Sequence, residues 1–158
     1  MALFSSSKAI AIIVLAFSVI SNARPQDIVP QMASSCTIKE MILLAHPPTP
    51  IPNAFYYTGS PVDWSKVTAC GAATGKVHIT NVFPDYQEHI ARCGEVDAWT
   101  AMSKAMARLT TGDAVCIKGE GPEGRYWLME KQELIANANV TSVKMLDCDG
   151  KEIEVVKR

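Results

Sequence analysis

The chain has 158 residues, 15 of them basic and 16 acidic, for a formal charge of −1. Its lysines and arginines are scattered, with no run longer than Lys157-Arg158. This balance argues against nucleic acid as a primary partner, which needs a concentrated positive face that only the fold could assemble here.

Residues 9–20 form an apolar run that follows Lys8 and precedes the small residues Ser21-Asn22-Ala23. This is the layout of a secretory signal peptide over 1–23, too short to span a bilayer, which takes about 20 apolar residues. Its removal leaves 135 residues, enough for one domain with a core of its own and no membrane partner. Residues 24–35 are polar, carry two prolines and read as a flexible arm, which leaves 36–158 as the folded domain.

The apolar run in 36–45 suits a buried strand or a short helix. Pro47, Pro48, Pro50 and Pro52 end it and favour an extended stretch. Residues 53–64 concentrate Phe55, Tyr56, Tyr57 and Trp64 around an expected turn at Gly59-Ser60-Pro61, and these aromatics either fill the core or form a binding platform. Alternation over 76–83 predicts a strand. A helix is expected from Pro84-Asp85 to Gly94, with Tyr86, Ile90 and Cys93 on one face. The spacing of Val96, Trp99, Met102, Met106 and Leu109 predicts a second helix over 95–109. Strands are expected at 113–120, 125–132, 140–148 and 151–157. Asp149-Gly150 reads as a two-residue hairpin that sets Leu146 opposite Ile153 and Asp147 opposite Glu152. These elements predict an α+β domain: an antiparallel sheet of about four to five strands packed with one or two central helices.

Five cysteines, Cys36, Cys70, Cys93, Cys116 and Cys148, follow the signal. In an oxidising compartment they predict two disulfides and one thiol left free or available to join two copies of the chain. No CxxC occurs, so neither a zinc cluster nor a redox centre is supported, and no metal or cofactor is expected. Asn139-Val140-Thr141 is a glycosylation sequon.

Gly119 to Gly124 satisfies G-x-G-x-x-G letter by letter. The following Arg-Tyr-Trp-Leu favours a strand where a dinucleotide site needs a helix, Pro122 lacks an N–H, and Glu120 and Glu123 repel phosphate. A flexible hairpin loop is the better reading. His78, Glu88, His89 and Arg92 are of the right types for a ribonuclease-like hydrolase, since such chemistry needs a base, an acid and a cation. Their spacing equally fits a strand histidine and a solvated helix face with an i, i+4 ion pair. No serine elbow, H-E-x-x-H or glycosidase couple occurs.

A signal peptide, one small domain, few cysteines and no catalytic motif together resemble the small secreted effectors of plant-pathogenic fungi, smut fungi among them. The resemblance is of format and carries over no residue. It implies an extracellular virulence protein that binds a host protein, in the apoplast or after entry into host cells. The expected function is a non-enzymatic interaction protein, with Phe55, Tyr56, Tyr57, Trp64 and the Gly119–Gly124 loop as contacts. The alternatives are a small secreted hydrolase, or an inhibitor or toxin that presents residues 46–52 as a loop.

Overall fold

A computed structural model describes residues 36–46, 49–59 and 63–158. The expected signal peptide and arm, Pro47 and Pro48, and the Ser60-Pro61 part of the expected turn lie outside the described residues.

The described chain is α+β, with six helices and a five-stranded sheet. Helix α1 (Ile38–Leu44) comes first, started by the Thr37 side chain, which accepts from the Glu40 N–H. Strands β1 (Ile51–Pro52) and β2 (Phe55–Thr58) follow, then helices α2 (Trp64–Thr74), α3 (Ile79–Val82), α4 (Tyr86–Cys93) and α5 (Glu95–Leu109). Strand β3 (Thr110–Lys118), helix α6 (Arg125–Ala136) and strands β4 (Val140–Leu146) and β5 (Glu152–Lys157) complete the domain.

The sheet is mixed, which corrects the antiparallel expectation. Both β1 and β2 lie parallel to β3, β3 lies parallel to β4, and the one antiparallel pair is β4 with β5. The connections dictate this. Residues 59–109 separate β2 from β3 and α6 separates β3 from β4, so both are crossovers. The β4–β5 turn is short enough for a hairpin, whereas Asn53-Ala54 carries β1 straight on into β2 along the same partner strand.

Central strand β3 is buried on both faces, as strands of parallel sheets are. Its Ala114 and Cys116 join the main core with Tyr56, Val143 and Met145, beneath Trp127 and Leu134 of α6 and the Ala- and Met-rich face of α5. Val115 and Ile117 point the other way and pack with Phe55 and with Val67 of α2.

Helices α4 and α5 form where expected, and α5 has the expected bounds. Two predicted strands do not form. Residues 79–82 are helical, with His78 as their N-cap, and 125–132 belong to α6. The C-terminal turn also differs. The Asp147 carboxylate accepts from the N–H groups of Asp149 and Lys151, closing a longer turn with Gly150 at φ 81°. Leu146 then faces Glu152, Glu152 pairs with Lys144 at 2.9 Å, and Ile153 is 52% exposed instead of buried.

Two disulfides staple the domain: Cys36–Cys93 joins the start of α1 to the end of α4, and Cys70–Cys148 joins α2 to the β4–β5 turn. Cys116, the cysteine left free, is 0% exposed within β3. Asn139 is exposed just before β4. Among the described residues, no helix is long and apolar enough to cross a membrane, and no three His, Cys, Asp or Glu side chains are placed to hold a metal ion.

Candidate functional site

An open cleft of about 210 Å³ lies between β2, α5 and the first turns of α2 and α6. Strand β2 delivers Phe55, Tyr56 and Tyr57, and α2 opens with Trp64. Helix α5 contributes Glu95, Trp99 and Ser103, which stand at i, i+4, i+8 and so line one face. Helix α6 contributes Tyr126, Trp127 and Glu130.

All four aromatics singled out in the sequence border this cleft, in different ways. Phe55 and Tyr56 are buried and form its wall, Tyr57 is half-buried, and Trp64 stands 55% exposed at the rim. Tyr56 Oη lies 2.7 Å from Thr110 Oγ1. The Thr110 hydroxyl already donates to the Met106 carbonyl at 2.8 Å, so the phenol is the donor to it and is committed. Burial pushes the Tyr56 phenol well up.

His78 also faces the cleft, its ring centroid 5.4 Å from Phe55 and 6.4 Å from Trp64. Its Nδ1 caps α3 by accepting from the Thr80 N–H and lies 3.0 Å from the Thr80 hydroxyl. An accepting Nδ1 places the ring proton on Nε2 and requires the neutral imidazole. Burial pulls the His78 pKa down to about 4, in keeping with that role.

Glu130 is 6% exposed. Burial pushes its carboxyl up to about 7, while a hydrogen bond with Ser103 works in the opposite direction. The Trp127 indole N–H has no hydrogen-bond partner and no exposed surface.

The other three residues of the hydrolase alternative lie elsewhere, on α4, and none lines the cleft with His78. Arg92 pairs with Glu40 of α1 at 2.6 Å. His89 packs edge-on against Phe83. Glu88 is exposed in the first turn of α4.

The glycine motif sits where a dinucleotide loop would, between β3 and α6 with β4 parallel beyond, which corrects the hairpin reading. The N–H groups of its first and last glycines are nevertheless spent. The Gly119 N–H donates to the Thr58 carbonyl at 2.7 Å, and the Gly124 N–H to the Thr58 hydroxyl at 2.8 Å. The Lys118 ammonium donates inward, to the carbonyls of Gly119 and Gly121. The loop is thereby clamped to the end of β2, and Gly124 borders the cleft.

As site residues, Glu130, Ser103 and Tyr126 escaped the sequence reading, and Trp99 figured there only as part of a helix's apolar face. The available signal was a glutamate on the Trp127–Leu134 stripe at i, i+3, i+7, visible only once 125–136 is assigned as helix. No protein-family model, curated protein or solved structure matches this chain.

Proposed function

We propose that the chain is a secreted, non-enzymatic interaction protein, an effector that binds a host protein through the aromatic cleft. One observation carries this reading: the cleft gathers large rings around an open mouth while its polar groups are mostly committed to the fold. Tyr56 is held by Thr110, His78 caps a helix, and Ser103 is turned to Glu130. Aromatic side chains in a pocket are the usual anchors of a protein interface. The two disulfides and the exposed Asn139 suit an oxidising, glycosylating compartment.

The test is capture of host proteins by the wild type and by Trp64→Ala. Trp64 is more than half exposed, so its loss should leave the fold intact while removing a specific partner. A partner retained at full strength by Trp64→Ala would remove the cleft from the reading.

The hydrolase alternative keeps one supporting observation: a raised glutamate, a neutral histidine and a serine share the cleft. A relay would need the histidine between the serine and the carboxyl, whereas Ser103 bonds Glu130 directly. Turnover of RNA or cell-wall polymer that disappears in His78→Ala and Glu130→Gln, with folding intact, would favour the enzyme.

A further inference from the structure

The lining of the aromatic cleft has a sign. Two carboxyl groups, Glu95 and Glu130, border it, and no lysine or arginine among the described residues does. Ring faces add negative potential of their own, and an aromatic enclosure attracts organic cations. His78 brings no opposing charge, because its capping role keeps it neutral. One lining ring already holds a cation: the Arg125 guanidinium lies 4.7 Å from the centre of the Tyr126 ring and donates to its hydroxyl.

We propose that the cleft receives a lysine side chain of the partner protein, its ammonium seated among the rings and against Glu130. This rests on the cleft being the contact site of an interaction protein. Size supports it: a cavity of about 150 Å³ holds a benzene molecule, so one of about 210 Å³ holds a single long side chain. Lysine's four-carbon stem covers apolar surface while its head seeks charge. A neutral apolar side chain would cover both carboxyl groups without compensating them, and an anionic one would be repelled.

The surroundings of Glu130 add a second signature. Ser103 bonds it from α5, and the Tyr56 and Cys116 groups facing it from β2 and β3 are held uncharged by burial. On its own helix, Lys131 is engaged with Glu123 and Glu154. A cation brought against Glu130 therefore draws the proton from that carboxyl and expels it to solvent.

The experiment is calorimetric titration of the intact secreted chain with short peptides that differ at one residue: lysine, acetyl-lysine or norleucine. The lysine peptide should bind at least about tenfold tighter than either neutral peptide, and at about pH 6 its binding should release a proton, read from buffers of different ionisation enthalpy. Glu130→Gln should abolish the proton release and weaken the lysine peptide about tenfold at about pH 8. Trp64→Leu, at the exposed rim, should weaken it without touching the core. Equal affinity for charged and neutral peptides, or preference for acetyl-lysine, would overturn the proposal. So would binding of choline without binding of the lysine peptide, which would mark a free ammonium compound as the occupant. If host capture depends on Trp64 but no peptide discriminates, the interaction reading stands and this one falls. If the lysine peptide binds but cleft variants leave host capture unchanged, it is the interaction reading that falls.

Discussion

Glu130 and His78 face the same cleft, and burial shifts both toward their uncharged forms, with opposite consequences for stability. Glu130 is raised from 4.5 to about 7 on folding, so its contribution is fully present below about 4.5 and is lost as pH rises to about 7. The shift corresponds to ~3 kcal/mol over that range. His78 is depressed from 6.5 to about 4, so its contribution is present above about 6.5 and is lost as pH falls toward 4. Between about 4.5 and 6.5 the two oppose each other, and their summed effect in the wild type is nearly flat. Single variants should unmask the halves. Glu130→Gln removes the falling half, so its stability by urea denaturation should rise with pH across that window. His78→Asn keeps a side-chain cap on α3 but removes the histidine, and its stability should fall with pH up to about 7. A flat profile in both variants would mean that neither group is shifted as its burial requires.

Elements whose periodicity and local propensity agree were legible in the sequence, and elements where the two conflict were not. Helix α5 declares itself through 3–4 spacing and forms over the expected residues, although Val96 on the expected face is exposed and small Ala98, Ala101 and Ala105 are buried instead. Helix α6 carries Tyr126-Trp127 near its start, residues that favour strands, although the Leu128-Met129-Glu130-Lys131-Gln132 that follow are good helix formers, and it forms the crossover between two parallel strands. Missing α6 hid both the parallel pairing of β3 with β4 and the cleft wall made by Tyr126, Trp127 and Glu130. The aromatic segment was visible as composition, but whether each ring was wall or rim depended on partners distant in sequence, such as Thr110 for Tyr56. Gly71 of α2 shows the same dependence. Alanine in an exposed helix is worth up to about 1 kcal/mol over glycine. Here, however, a Cβ would stand 2.7 Å from the Phe55 ring, where overpacking costs about 1–3 kcal/mol. The clash should win: Gly71→Ala should lower the melting temperature and weaken cleft ligands by displacing Phe55. A raised melting temperature would show that the ring yields freely.

The two disulfides hold opposite faces of the sheet by unequal means. Cys36–Cys93 ties together α1 and α4, whose Met41, Tyr86 and Ile90 already pack into or against the main core around α5. Cys70–Cys148 holds α2, whose Val67 and Cys70 pack in or against the smaller cluster with Phe55, Val115 and Ile117. Chain entropy assigns the two bridges similar weight, roughly 4 kcal/mol each for separations of 57 and 78 residues. Their removal should nevertheless differ in kind. Without Cys36–Cys93, the helical layer keeps its packing and loses global stability. Without Cys70–Cys148, α2 is held on the sheet through that smaller cluster, and it carries Trp64, the exposed rim of the cleft. The paired variant Cys70→Ala/Cys148→Ala should therefore show faster amide exchange within α2 while α5 stays protected, and a lysine peptide that binds the wild type should bind it more weakly. Cys36→Ala/Cys93→Ala should leave α2 exchange and peptide affinity near wild type at temperatures where it remains folded. If both pairs raise exchange uniformly along the chain, α2 is not a separable unit and the cleft is no more mobile at its rim than at its floor. If only the first pair does so locally, reduction of one bridge opens the site without unfolding the protein, and the recognition face depends on a disulfide that the core does not need.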